Sequence, residues 1–190
     1  MVTSLPDLSE TRFDLETWKA WFEEAAKLCI SITPAEGAAL FFQSDIRHAG
    51  VWIDKGSLVQ RAAESAGAAV LFHKIVCRFQ PGRVTAHRPG YTHLIAVSRA
   101  LRSDGEPGIP DVIVDAGRLP WVRAMGMRAA AHAVRFARDQ AGARTIIDPF
   151  CGVGTVLAVA NTLGLDATGV ELSPRRAEQA RHLTATHSEL

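Results

Sequence analysis

The segment 144–172, RTIIDPFCGVGTVLAVANTLGLDATGVEL, narrows the fold of this chain more than any other feature. Arg144–Ile147 reads as a short apolar strand, and Asp148-Pro149 ends it because proline cannot donate to a strand ladder. Gly152 and Gly154 permit a sharp turn and a close backbone approach to a ligand. The apolar run to about Leu163 reads as a helix whose first N–H groups point at that ligand. Ala167–Glu171 reads as the next strand. It places Glu171 about 20 residues after the turn, where a carboxylate can accept both hydroxyls of a ribose. Such a strand, glycine turn, helix and strand belong to layered α/β sheets. No lysine follows Gly154, so the turn is not a Walker loop, and the glycine spacing is not GxGxxG.

The rest of the 190 residues alternates in the same way. Residues 14–31 carry Leu15, Trp18, Phe22, Ala25, Ala26 and Cys29 at helical spacing behind an Asp14 cap, and Thr33-Pro34 closes the run. Gly37–Gln43 reads as a buried strand and 44–55 as a polar loop ending in Trp52-Ile53-Asp54-Lys55. Ser57–Ser65 reads as a helix stopped by Gly67. Ala68–Arg78 and Tyr91–Ser98 read as strands around a loop rich in Pro and Gly. Residues 103–120, broken by glycine and proline, read as an irregular excursion. Trp121–Gln140 reads as a long alanine-rich helix, Pro174–Leu183 as a last helix, and 184–190 as a frayed end.

Composition excludes several classes. Hydrophobic residues make up 47% and charged residues 22%, a globular balance. No apolar run approaches the roughly 18 residues of a membrane span, and no basic-then-apolar start marks a signal peptide. Cys29, Cys77 and Cys151 form no CxxC pair, so reduced thiols in the cytoplasm are expected. No metal site is expected, because no His, Cys and carboxylate group has ligand spacing. The net charge of +1 excludes a strongly basic nucleic-acid coat but hides an asymmetry. Residues 1–72 carry −4, residues 73–103 carry +6 with no acid, and residues 104–190 carry −1. The basic block holds Arg78, His73, His87 and His93, and the weak substrate candidates Lys74, Arg83, Arg88, Arg99 and Arg102. It is either a phosphate footprint or a solvated rim. Lys74 sits inside an apolar strand and would need a partner.

Asp148-Pro149-Phe150-Cys151-Gly152-Val153-Gly154-Thr155 resembles the DPFxGxGT motif of class I S-adenosylmethionine-dependent methyltransferases, most closely the amino-methyltransferases of nucleic acids. The resemblance implies that Asp148, Pro149, Phe150, Gly152, Gly154 and Thr155 bind S-adenosylmethionine and that Glu171 holds its ribose. Cys151 is then a small residue of the turn. The family's catalytic tetrapeptide, (D/N/S)-P-P-(Y/F/W), usually follows this motif, but only 19 residues follow Glu171 and none forms it. The chain instead opens Val2-Thr3-Ser4-Leu5-Pro6-Asp7, which resembles the TSPPY form found first in circularly permuted members. The fold implied is a Rossmann-like class I methyltransferase sheet, mostly parallel, circularly permuted and in a single domain over 1–190. Residues 1–102 would carry the substrate and catalytic half, 103–120 the excursion, and 121–190 the cofactor half. The two chain ends are expected across one cleft.

This resemblance makes Ser4, Leu5, Pro6 and Asp7 the catalytic candidates, with two departures. Leu5 replaces a proline and Asp7 replaces the aromatic that stacks on an extruded base. Ser4 and the Leu5 carbonyl could still accept hydrogen bonds from an exocyclic amino group. Asp7 cannot stack, which leaves Trp52, Tyr91 or Trp121 for that task. Asp7 could accept a proton or hydrogen bond from another nucleophile, or simply cap a turn. The expected activity is methylation of a nucleic-acid base at an amino nitrogen, with RNA preferred over DNA because the chain has no room for a large target-recognition segment. A homodimer is admitted. The rival readings are a methyltransferase on a small molecule or protein, and a non-catalytic cofactor-binding partner subunit.

Overall fold

The Asp14 cap opens the first long helix as its pattern predicts: its carboxylate accepts the Thr17 N–H at 2.8 Å, and α1 runs Leu15–Ile32. The computed structural model that contains it describes residues 1–86, 88–102 and 108–190, so His87 and part of the 103–120 excursion lie outside the described residues. The strands are β1 (Val2–Thr3), β2 (Ala39–Gln43), β3 (Ile46–His48), β4 (Val51–Ile53), β5 (Ala69–Cys77), β6 (Tyr91–Ser98), β7 (Val112–Ile113), β8 (Thr145–Asp148) and β9 (Asp166–Gly169). The later helices are α2 (Lys55–Ser65), α3 (Met127–Asp139), α4 (Thr155–Thr162) and α5 (Pro174–His182).

The central sheet has the order β1-β2-β6-β5-β7. β1 pairs parallel with β2 and β5 with β7, while β6 runs against both β2 and β5. β8 and β9 form a parallel pair of their own, and β8 lies beside β1. The first strand of the chain thus stands between the last two strands and the rest of the sheet.

Helices cover both faces. In β2, Leu40 and Phe42 point to one layer and Ala39 and Phe41 to the other, which is why the strand reads as one continuous apolar run. The first layer meets α3 and α4, where Ala129, Ala130, Ala133 and Ala137 allow close approach and Phe72 meets Phe136 edge-on at 4.9 Å. The second layer meets Trp18 and Phe22 of α1 and Leu58, Val59 and Ala63 of α2. Each such large apolar side chain contributes about 1.5–3 kcal/mol on burial.

Three expectations need correction. Residues 44–55 are not a plain loop: β3 and β4 form a hairpin whose turn residues Ala49 and Gly50 both have positive φ, 48° and 80°. Alanine rarely adopts that conformation, so the turn leaves little trace in sequence. The helix expected from Trp121 starts only at Met127, after Gly126 at φ 89°. There its first N–H groups dock on the carbonyls of Ala116 and Arg118, both at 3.0 Å, and a Cβ on Gly126 would meet Ala116 O at 2.3 Å. Residues 184–190 are not frayed, since Leu183, Ala185 and Leu190 pack on the core and Glu189 pairs with Arg118.

Candidate active site

The carboxyl ends of β1, β2, β5 and β8 open onto one edge of the sheet, the place where α/β sheets hold ligands. Two cavities lie there. The first, about 320 Å³, is walled by the turn after β8, by Glu171 and Leu172 after β9, by Trp121, and by Ser4-Leu5-Pro6 after β1. The second, about 480 Å³, is walled by Ser4, Leu5 and Asp7, by Ser44–His48, and by Lys55, Arg78, Arg88 and Arg123. Ser4 and Leu5 belong to both walls. The two ends of the chain therefore meet in one cleft.

Asp148 ties them together. It is 2% exposed, and its Oδ1 accepts the Thr3 hydroxyl at 2.6 Å and the Phe150 N–H at 3.2 Å. Burial pushes its carboxyl up to about 6, against the pull of those two bonds. Pro149, Phe150, Gly152 and Thr155 share its wall. Gly152 has φ 55°, and a Cβ at this position would meet nothing within 4 Å, so its backbone faces open space. Gly154 departs from expectation. It does not line the cavity; a Cβ there would lie 2.8 Å from the Ala180 Cβ, so its lack of a side chain lets α5 pack on the turn. Cys151 fills space against Gly169, and burial pushes its thiol up to about 11, which keeps it protonated and unreactive at neutral pH.

Glu171 lies two residues past β9 and accepts from Ser173 N and Arg176 at 2.7 Å each. Burial acts to raise its carboxyl, but those bonds outweigh it and hold the group below its ordinary value. Arg176 also lies 5.7 Å from the centre of the Trp121 ring. Sequence reasoning missed Arg176, whose only signal was its place in the first turn of α5, behind the Ser173 cap.

At the second cavity Asp7 does what no aromatic could. Its carboxylate pairs with Lys55, which is 2% exposed at the start of α2. Its N–H donates to Glu10 at 3.0 Å, opening a short 3-10 turn, and Glu10 in turn pairs with Arg123 at 3.0 Å. The Pro6 carbonyl is taken by the Trp18 indole N–H at 3.2 Å. Asp45 is a hub that sequence separation conceals. It accepts from Lys55 N at 2.8 Å, Tyr91 at 3.0 Å, Trp52 at 3.2 Å and His93 at 3.0 Å, the last from 48 residues away. His93 meets His73 at 2.8 Å. Burial and Asp45 push the Tyr91 hydroxyl up to about 12, so it stays a donor. Asp45, Asp54 and His93 bring ligand atoms within 4.8 Å, a grouping that linear spacing did not reveal. In this structure both Asp45 oxygens accept from these donors, and Asp54 caps α2 through the Ser57 N–H at 2.9 Å.

Of the five substrate candidates, Arg88 lines the second cavity. Lys74, on β5, is paired with Asp111, just before β7, which supplies the partner its burial requires. Arg99 donates to the carbonyls of Ser31 and Thr33 at the end of α1. Because β6 is antiparallel, Arg99 and Arg102 lie past its end at the opposite edge of the sheet. They cannot reach the cleft. Arg83 stands over the Phe79 ring at 4.7 Å, outside both cavity walls. Trp121 lines the first cavity, while Trp52 and Tyr91 hydrogen-bond Asp45 and line neither cavity.

The fold of this chain is similar to that of solved DNA methyltransferases. A cytosine-N4-specific PvuII DNA methyltransferase is similar at TM-score 0.72 and 14% identity, over 99% of this chain and 80% of that one. A candidate DNA modification methylase of Thermus thermophilus, in complex with S-adenosyl-L-methionine, is similar at TM-score 0.70 and 21% identity, over 94% and 82%. The M1.HpyAVI–SAM complex is similar at TM-score 0.59 and 15% identity, over 95% and 84%. At such identities the likeness is one of fold. No family model and no curated protein matches the chain. Among the described residues, no helix is long and apolar enough to cross a membrane.

Proposed function

We propose that the chain transfers a methyl group from S-adenosylmethionine to an amino nitrogen of a nucleic-acid base. The observation that carries this reading is the junction of the two cavities at Ser4-Leu5, with a buried carboxylate and a glycine turn on one side and a chamber carrying charged side chains on the other. The first cavity suits the cofactor chemically. Asp148 offers a carboxylate for an ammonium group, Gly152 an open backbone, Glu171 a carboxylate for a diol, and Trp121 an aromatic wall. When bound, S-adenosylmethionine supplies an already activated methyl group, so the protein's task is alignment and exclusion of water. Ser4 would accept a hydrogen bond from the acceptor's amino group and turn its lone pair toward the first cavity. The buried Leu5 side chain anchors that strand end in the core.

The polymer we favour is DNA. The similar structures are described as DNA methylases, and the expected preference for RNA has no support among them. The test is transfer of radiolabelled methyl from S-adenosylmethionine to DNA and RNA purified from cells lacking this protein. Label should enter DNA with the wild type and vanish with Asp148→Ala and with Glu171→Gln. Label confined to RNA or to small molecules would overturn the choice of substrate, and cofactor binding without any transfer would leave only a binding subunit.

A further inference from the structure

The walls of the second cavity hold more positive charge than they neutralise. Lys55 and Arg123 are matched by Asp7 and Glu10. Asp45 is occupied by its four donors. Arg47, Arg78 and Arg88 face the same space, and among the described residues no carboxylate pairs with any of them. Arg78 is positioned rather than loose: one of its nitrogens donates to the Val122 carbonyl at 2.7 Å. Burial, and after it the like charge of Arg88, hold the Arg78 guanidinium below its ordinary value. Arg47 is set by the hairpin, opposite Trp52 in the β3–β4 register and 5.7 Å from its ring centre.

We propose that Arg47, Arg78 and Arg88 form a phosphate-binding mouth on this cavity, so that the acceptor enters as a nucleotide gripped by its phosphate. That this cavity is the acceptor's rests on the methyl-transfer reading; the binding of phosphate does not. Guanidinium forks match phosphate oxygens two at a time, and a dianion relieves the repulsion between neighbouring arginines. The need for such a grip follows from the Asp7–Lys55 pair. Where an aromatic would hold a base by stacking, an ion pair leaves the base face without a clamp. Anchoring at the phosphate supplies the missing hold. The same chemistry serves a phosphate within a polynucleotide and one on a free nucleotide.

The test measures equilibrium binding by the full chain, without cofactor, of a single-stranded oligodeoxynucleotide, deoxycytidine 5′-monophosphate and the unphosphorylated nucleoside deoxycytidine. Phosphate-bearing probes should bind and the nucleoside should not. Arg78→Gln and Arg88→Gln should each weaken binding by about tenfold, the scale of a charge-assisted contact. On the oligonucleotide each should also lower the salt slope by about 1. Arg47→Gln should act in the same direction. Arg144→Gln, before the amino end of β8 and away from the cleft, should change nothing. S-adenosylmethionine affinity, read separately by calorimetry, should stay at the wild-type value in all four, which excludes misfolding. Equal binding of mononucleotide and oligonucleotide would identify a free nucleotide as the source, and binding of the oligonucleotide alone a polymer; either supports the mouth. Unchanged affinity in Arg78→Gln/Arg88→Gln, or nucleoside binding as tight as that of the phosphate-bearing probe that binds best, would overturn it. Phosphate binding with no methyl transfer to any acceptor would keep the mouth and remove the enzymatic reading.

Discussion

Gly152 and Gly154 are two residues apart, both have positive φ, and they do different work. At Gly152 a side chain would enter open cavity space; at Gly154 it would strike Ala180. Asparagine tolerates the left-handed region better than other residues with a Cβ. Gly152→Asn should therefore leave the melting temperature nearly unchanged while S-adenosylmethionine affinity, measured by calorimetry, drops sharply. Gly154→Ala should instead destabilise by about 1–3 kcal/mol through overpacking, seen in chemical denaturation. A reversed pattern would remove Gly152 from the cofactor wall. Asp148 gives a second prediction at this scale. Burial raises its carboxyl from 3.8 to about 6 in the folded chain. The neutral form is thus favoured by folding, and its stabilising contribution is fully present below the unfolded value and lost as pH rises through about 6. Binding an ammonium group demands the opposite, the carboxylate. Cofactor affinity should be level above about pH 7 and fall below 6 by nearly tenfold per pH unit, the slope of one proton taken up. The Met1 ammonium, lowered to about 6 chiefly by burial, titrates in the same range. Asp148→Asn separates the two, because it should bind weakly and without that slope. A wild type with flat affinity from pH 5 to 8 would exclude Asp148 from ammonium binding.

Between elements, the Asp7–Lys55 pair joins the end of the first strand segment to the start of α2. Lys55 is nearly inaccessible while Asp7 is about a third exposed, so the pair is only partly desolvated. Asp7→Ala strands a buried ammonium and should destabilise by about 2–3 kcal/mol, below the range for a fully buried pair. Lys55→Met alone should be milder, and the double variant should recover much of the loss, as a double-mutant cycle in urea would show. Additive losses would mean that the two side chains do not interact. None of this could be read from sequence, because 48 residues separate the partners and neither lies in a recognisable pattern with the other. What was legible shares one trait. α1, α2, β2, β5 and β6 follow their apolar periodicity, and the turn after β8 follows its glycines, because these signals are local. Asp7 as a turn opener was legible for the same reason. The start of α3 was not, since the first N–H groups of the helix dock on the carbonyls of Ala116 and Arg118, a contact that residues 121–126 do not announce. The basic block misled because charge was counted along the chain. The antiparallel turn of β6 sends Arg99 and Arg102 to the far edge, and among the described residues of the block Arg78 and Arg88 are the arginines that line the cleft.

At the scale of the whole molecule, the unusual feature is where the termini go. β1 has only two residues, yet it lies between β2 and β8, and Thr3 bonds Asp148 from 145 residues away. Both core layers draw on the first five residues, through Val2 on one face and Leu5 on the other. Removing residues 1–7 therefore should not merely trim an end. It would open the sheet between the β8–β9 pair and the rest, expose the Asp148 carboxyl, and take Ser4 and Leu5 out of both cavity walls. Such a chain should show no cooperative thermal transition and no S-adenosylmethionine binding. Removing residues 184–190 deletes a docked tail held by Arg118 and Arg135 at the surface of one layer. That variant should melt cooperatively at a lower temperature and still bind the cofactor, since the tail touches neither cavity. Calorimetry of the two deletions distinguishes a central strand from an ornamental one. If the chain lacking 1–7 melts cooperatively and the one lacking 184–190 does not, the sheet is held from its other end, and the meeting of the termini is not what builds the site.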